Sequence, residues 1–126
     1  MRPLLAAAAL LLLCPTPAHA TQGLLCRAVA GKAPRISLVI GAGGIAGASL
    51  DERGRWVSTS AEGDLRLAQA WIDREQVLVD LIIGPKWEQV ARLRVRFDPP
   101  ARGKPNSARG ILTLRGRTHR VRCAEA

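Results

Sequence analysis

Tyrosine is absent from this sequence, phenylalanine occurs once and histidine twice. Without Tyr and with a single Phe, little is available to stack on nucleobases, and nucleic acid is a poor fit as a partner. The longest Leu/Ala run, Leu4 to Leu13, has ten residues, far short of the roughly 20 that a membrane-crossing helix needs. No C-x-x-C occurs, and His119 is the only histidine beyond residue 20. One imidazole with two distant cysteines gives too few ligands for zinc or copper, and Asp51-Glu52 is too sparse for a calcium loop. His119 has no nucleophile or carboxylate placed beside it by a motif, and no spacing among the ten acids recommends a glycosidase pair. The expectation is a non-catalytic protein with no cofactor and no metal.

What the chain does have begins at its start. Arg2, the apolar run, Pro15-Thr16-Pro17 and then Ala18-His19-Ala20 read as a secretory signal with an A-x-A cleavage site. The expected domain plan is a signal peptide over 1–20 and one exported domain over 21–126, periplasmic or secreted. Cys14 falls inside the leader. As a lipidation site it would want a small residue before it, and Leu13 stands there.

Cleavage leaves Cys26 and Cys123, close to either end of the mature chain. An even pair in an oxidising compartment is read as a disulfide. Closing so long a loop would stabilise the fold by about 4–5 kcal/mol in the chain-entropy account.

Charge is uneven. From Thr21 to Gln89 there are eight basic and eight acidic residues; from Val90 to Ala126 there are ten basic residues against Asp98 and Glu125. A GC-rich genome would explain a preference for Arg over Lys. It would not explain why the excess sits in the last part of the chain, which points to an anionic partner.

Turn signals recur about every ten residues between short apolar-alternating segments, the pattern of a β-sandwich or barrel. Strands are predicted at Leu24–Val29, Arg35–Ile40, Ile45–Leu50, Arg55–Ser60, Val77–Ile83 and Ala91–Phe97. In the last of these, Ala91, Leu93, Val95 and Phe97 take one face and Arg92, Arg94 and Arg96 the other. Asp51 to Gly54 reads as a polar turn, and Asp98 to Gly110 as a surface loop. A hairpin follows, Ile111–Arg115 and Thr118–Cys123 around Gly116-Arg117, which puts Leu114 opposite His119 and Leu112 opposite Val121. Asp64–Gln76 fits a strand ending in an Asp73–Gln76 turn, and also a short helix capped by Asp64. The strand is favoured because Val77–Ile83 follows at once. The fold class is therefore all-β: an antiparallel meander barrel or sandwich of eight or nine strands, closed by Cys26–Cys123.

Gly41-Ala42-Gly43-Gly44-Ile45-Ala46 matches G-x-G-x-x-A, but no helix can follow it, so a glycine hairpin is expected rather than a dinucleotide site. Trp56, Trp71 and Trp87 are expected in the core or a cavity wall, with sugar stacking as the alternative. His119 is expected as a half-buried structural residue. The candidate anion-binding set is Arg92, Arg94 and Arg96 on one strand, Arg120 and Arg122 one or two strands away, and Arg102 and Lys104 in the loop. Guanidinium suits bidentate contact with phosphate or carboxylate, so the expected partner is an anionic envelope component or an acidic protein. The bland counterpart is a solvated face that keeps a sheet edge from aggregating. A monomer is expected.

In size, leader and terminal cysteine pair, the chain resembles the small periplasmic barrels that inhibit lysozyme. Their Ser-Gly-x-x-Tyr signature has no counterpart here, so no site residue carries over. The resemblance leaves a second function class in view, a protein inhibitor or a carrier of a small apolar ligand.

Overall fold

A strand with one wet face needs strict alternation, and most of this chain supplies it. The computed structural model describes residues 22–126; the leader over 1–20, the start at Thr21 and the question of Cys14 lie outside them. The strands are β1 (Gln22–Ala28), β2 (Arg35–Gly41), β3 (Gly44–Glu52), β4 (Arg55–Ser58), β5 (Leu65–Ile72), β6 (Gln76–Ile83), β7 (Glu88–Phe97), β8 (Ser107–Leu114) and β9 (Arg117–Glu125). All ladders are antiparallel, in the order β4-β3-β2-β1-β9-β8-β7-β6-β5. The first strand thus pairs with the last, and β3 packs against β5 to leave a nearly closed barrel. The expected all-β fold is present, with no helix among the described residues.

The interior is filled by the inward side chains of successive strands: Leu24, Ile36, Leu38, Val79, Leu81, Leu93, Leu112 and Val121 are each within 1% of complete burial. Cys26 stands directly opposite Cys123 across β1 and β9, their Cα atoms 3.9 Å apart, and the disulfide is formed. Bulges at Ala46, Ala68 and Val90 interrupt the ladders. Each adds a residue that bends its strand and helps the wall curl. The third lets the neighbours Val90 and Ala91 both face inward.

Several local expectations change. Arg53 and Arg115 have φ of 59° and 48°, followed by Gly54 at 87° and Gly116 at 81°. Positive φ at both central residues makes type I′ turns, the form that matches strand twist. The β8–β9 turn is therefore Arg115-Gly116 rather than Gly116-Arg117, and Leu112, not Leu114, faces His119. The slip is two residues, so every side chain keeps its expected face. The β3–β4 turn tightens in the same way to Arg53-Gly54, leaving Asp51 and Glu52 in β3. An Arg in the left-handed region costs about 1 kcal/mol that Asn or Gly would not. The Gly41–Ala46 motif is a β2–β3 hairpin, with Gly44 at φ 112° opposite Gly41.

Leu65–Ile72 is a strand, as favoured. Asp73 closes its turn: Oδ1 accepts from the Glu75 and Gln76 amides at 2.7 and 2.9 Å, and Oδ2 accepts from Trp71 Nε1 at 2.9 Å. The tryptophans leave the core that was expected of them. Trp56, Trp71 and Trp87 are 43%, 57% and 41% exposed, because the interior is already filled by aliphatic side chains. Trp56 lies under the Arg35 guanidinium at 5.0 Å and Trp87 under that of Arg66 at 4.3 Å.

The predicted loop ends early. Asp98 to Asn106 is loop, but β8 begins at Ser107, and Ala108 and Gly110 face inward with Val121 and Cys123. Gly110 is required by contact: a Cβ there would run into the Arg94 carbonyl oxygen and lie 2.7 Å from Val95 Cα. Gly110→Ala is expected to destabilise the fold by about 3 kcal/mol, at the upper end of overpacking costs. Thermal unfolding should show a drop of more than 10 °C, at about 4–8 °C per kcal/mol for a domain of this size. Gly43→Ala, in open space at ordinary φ, should leave the midpoint nearly unchanged.

Candidate anion-binding face

The outer wall is built from the residues that alternation turns away from the core. Following the ladders sideways from β7, Arg96 is opposite Arg109, Arg109 opposite Arg122, Arg122 opposite Arg27 and Arg27 opposite Arg35. Five arginines on five adjacent strands thus form one row, about 19 Å long at the usual strand spacing. Of the expected set, the row contains Arg96 and Arg122. Arg94 and Arg120 lie in the parallel row beside it, on either side of Ile111. Arg92 lies one row further along, opposite Thr113. Arg102 and Lys104 are exposed in the 98–106 loop, and no hydrogen bond or ion pair among the described residues joins them to the row.

Acidic partners sort these groups. Arg94 is held in place: Nη1 and Nη2 donate to the two Asp80 carboxylate oxygens at 2.9 and 3.3 Å, and Nη1 also reaches the Leu93 carbonyl at 2.8 Å. It is committed to the wall rather than available to a ligand. Arg92 shares Asp80 at 3.8 Å, and Arg96 approaches Glu75 at 3.8 Å. Arg109 is clamped by Asp98, Nε to Oδ1 at 2.9 Å. At the far end, Arg35 Nε and Nη2 both donate to Asp51 Oδ2 at 2.7 and 2.6 Å. Asp51 is 1% exposed and its Oδ1 has no partner. Arg27 and Arg122, directly opposite one another near the middle of the row, have no carboxylate partner among the described residues. Like charges facing each other across a ladder are destabilising, so this pair is where an added anion would gain most.

Three members of the row were missed in the sequence, and each had a signal. Arg109 was hidden in the segment read as loop. Arg27 was implied by the disulfide: if Cys26 faces Cys123 in an antiparallel pair, Arg27 must face Arg122. Arg35 then follows across the β1–β2 turn.

Two open grooves flank the row. One, of about 550 Å³, lies over β6–β8 and is bordered by Leu78, Arg94, Arg96 and Arg109. The other, of about 800 Å³, lies over β1 and β9 and is bordered by Leu25, Arg27, Val29 and Arg122. Guanidinium groups beside short aliphatic side chains suit a ligand with charged and apolar parts.

The Asp98 clamp is pH-sensitive. The Ser107 hydroxyl, donating at 2.7 Å, and then the Arg109 guanidinium hold the Asp98 carboxyl below its ordinary range, with Arg122 adding a weaker pull. A depressed carboxyl pKa stabilises the fold above the unfolded-state value, and that contribution is lost as pH falls through the folded value. The clamp should therefore persist at neutral pH and release only as pH falls below the ordinary carboxylate range. Carboxyl-detected NMR titration should find the Asp98 midpoint low in the parent and higher in Ser107→Ala; equal midpoints would contradict this assignment.

No family model, no curated protein and no solved structure matches the chain.

Proposed function

We propose that the protein is a non-catalytic, exported envelope module that binds an anionic partner through the outer face of β7, β8, β9 and β1. One observation carries the reading: Arg27 and Arg122 stand opposite each other within a row of five arginines, and neither is within ion-pair distance of a carboxylate among the described residues. A row at strand spacing favours a partner with repeated phosphate or carboxylate groups over a single isolated anion. Export supplies the setting, in which phosphorylated glycolipids, anionic headgroups and acidic wall polymers are the available polyanions.

The alternative, a carrier of a small apolar ligand, is disfavoured by the packing. The barrel is filled across its middle by Leu24, Leu38, Val79, Leu93 and Leu112, and the open pockets border its ends or its outer wall. An inhibitor acting through a loop would bind its target with little dependence on salt, whereas a guanidinium row is screened by it.

The row makes the choice of variant specific. Arg27→Ser, Arg109→Ser and Arg122→Ser should each weaken binding to vesicles containing phosphatidylglycerol by about tenfold, as for loss of one charge-assisted hydrogen bond. Arg92→Ser should change it little. Co-sedimentation over a salt series is the measurement; binding that is indifferent to salt and to Arg27→Ser/Arg122→Ser would overturn the reading.

A further inference from the structure

The barrel end opposite Gln22 and Glu125 carries a second basic site, separate from the outer row. Here the inward face of the β8–β9 hairpin continues past Leu112 and Leu114 to Arg117 and His119, which the ladder places opposite them. A pocket of about 260 Å³ opens between Pro34, Arg53, Leu114, Arg117 and His119. One wall is an ion pair thrown across the mouth from β3 to the β8–β9 turn. Arg115 Nε donates to Glu52 Oε1 and Oε2 at 3.1 and 3.2 Å, and Nη2 lies 3.0 Å from Oε1. That pair spends the only acid that lines the pocket among the described residues. Arg53, Arg117 and His119 are left without a carboxylate partner among the described residues.

The backbone supports the same site. Arg53 and Arg115 both occupy the first central position of a type I′ turn, with φ of 59° and 48°. Asn, Asp or Gly is the economical choice at that position. Two strained arginines on two hairpins flank one pocket, and strain of this kind concentrates at ligand clamps.

We propose that this pocket binds a phosphomonoester. Arg53 and Arg117 approach from different hairpins, so the two forks can hold separate oxygens of a tetrahedral dianion. His119 adds an imidazole donor. Leu114 and Pro34 offer an apolar floor to the carbon skeleton of the ester, and the volume leaves room for one beyond the phosphate itself.

The test titrates the protein with inorganic phosphate and with a hexose 6-phosphate, following the His119 ring resonances by NMR and heat by calorimetry. Saturable one-to-one binding is expected with both probes, tighter with the ester. Arg53→Asn keeps a residue that the turn accepts, so its thermal midpoint should match or exceed the parent's, yet its affinity should fall at least tenfold. Arg117→Ser should do the same to affinity, and Arg27→Ser/Arg122→Ser should not. Tighter binding of the ester assigns the site to an organic phosphate. Equal affinities assign it to the phosphate group alone and overturn the phosphomonoester. Non-saturable shifts, or affinity unchanged in a folded Arg53→Asn protein, overturn the site altogether.

Discussion

The pairing of Cys26 with Cys123 is the constraint on which the rest depends. It joins the two strands furthest apart in sequence, and in doing so it fixes the β1–β9 register to a single value. A one-residue slip there would turn either Leu24 and Cys26 on β1 or Val121 and Cys123 on β9 to solvent, and carry Arg27 or Arg122 into the core. The bond thus stabilises the barrel and also decides which side chains meet across β1 and β9. The juxtaposition of Arg27 and Arg122 on the outside follows from the covalent link on the inside.

The two faces of the same ladder then divide the labour. Inside, aliphatic residues fill the space so completely that the three indoles are displaced outward. Outside, arginines align because alternation gives them no other place, and the few acids available are distributed among them: Asp80 to Arg94, Asp98 to Arg109, Asp51 to Arg35. The supply runs out at β9 and β1. Such an arrangement tolerates repulsion at the surface, where water screens it, in return for an unneutralised strip of positive charge.

Much of this was legible in the sequence. The alternation of Ala91–Phe97 gave β7 and its two faces outright, the cysteine count gave the staple, and turn spacing gave eight or nine strands, of which nine are present. Register was harder. Gly116 permits either the first place of one tight turn or the second place of another, and the hairpin settles on the second. Faces survived that ambiguity because the two registers differ by an even number. The start of β8 was masked by its own packing: Gly110 is small because β7 runs so close, Ala108 is buried beside it, and small residues beside prolines look like a loop. Val90 was hidden by a bulge, which breaks the period that sequence reading relies on. The row of arginines is a product of register on five strands, so no single segment announces it.

One consequence of the strand order reaches beyond binding. The unpaired edges are β4 and β5, neighbours in the chain, while the first and last strands lie side by side and are bonded together. Traced from β5 through β9 to β1 and on to β4, the wall is a plain up-and-down succession without a single crossover. The molecule is a circular permutation of that simplest meander, opened between β1 and β9 and resealed there by sulfur. The break in the wall's continuity lies at the short link between Ser58 and Leu65, not between β9 and β1.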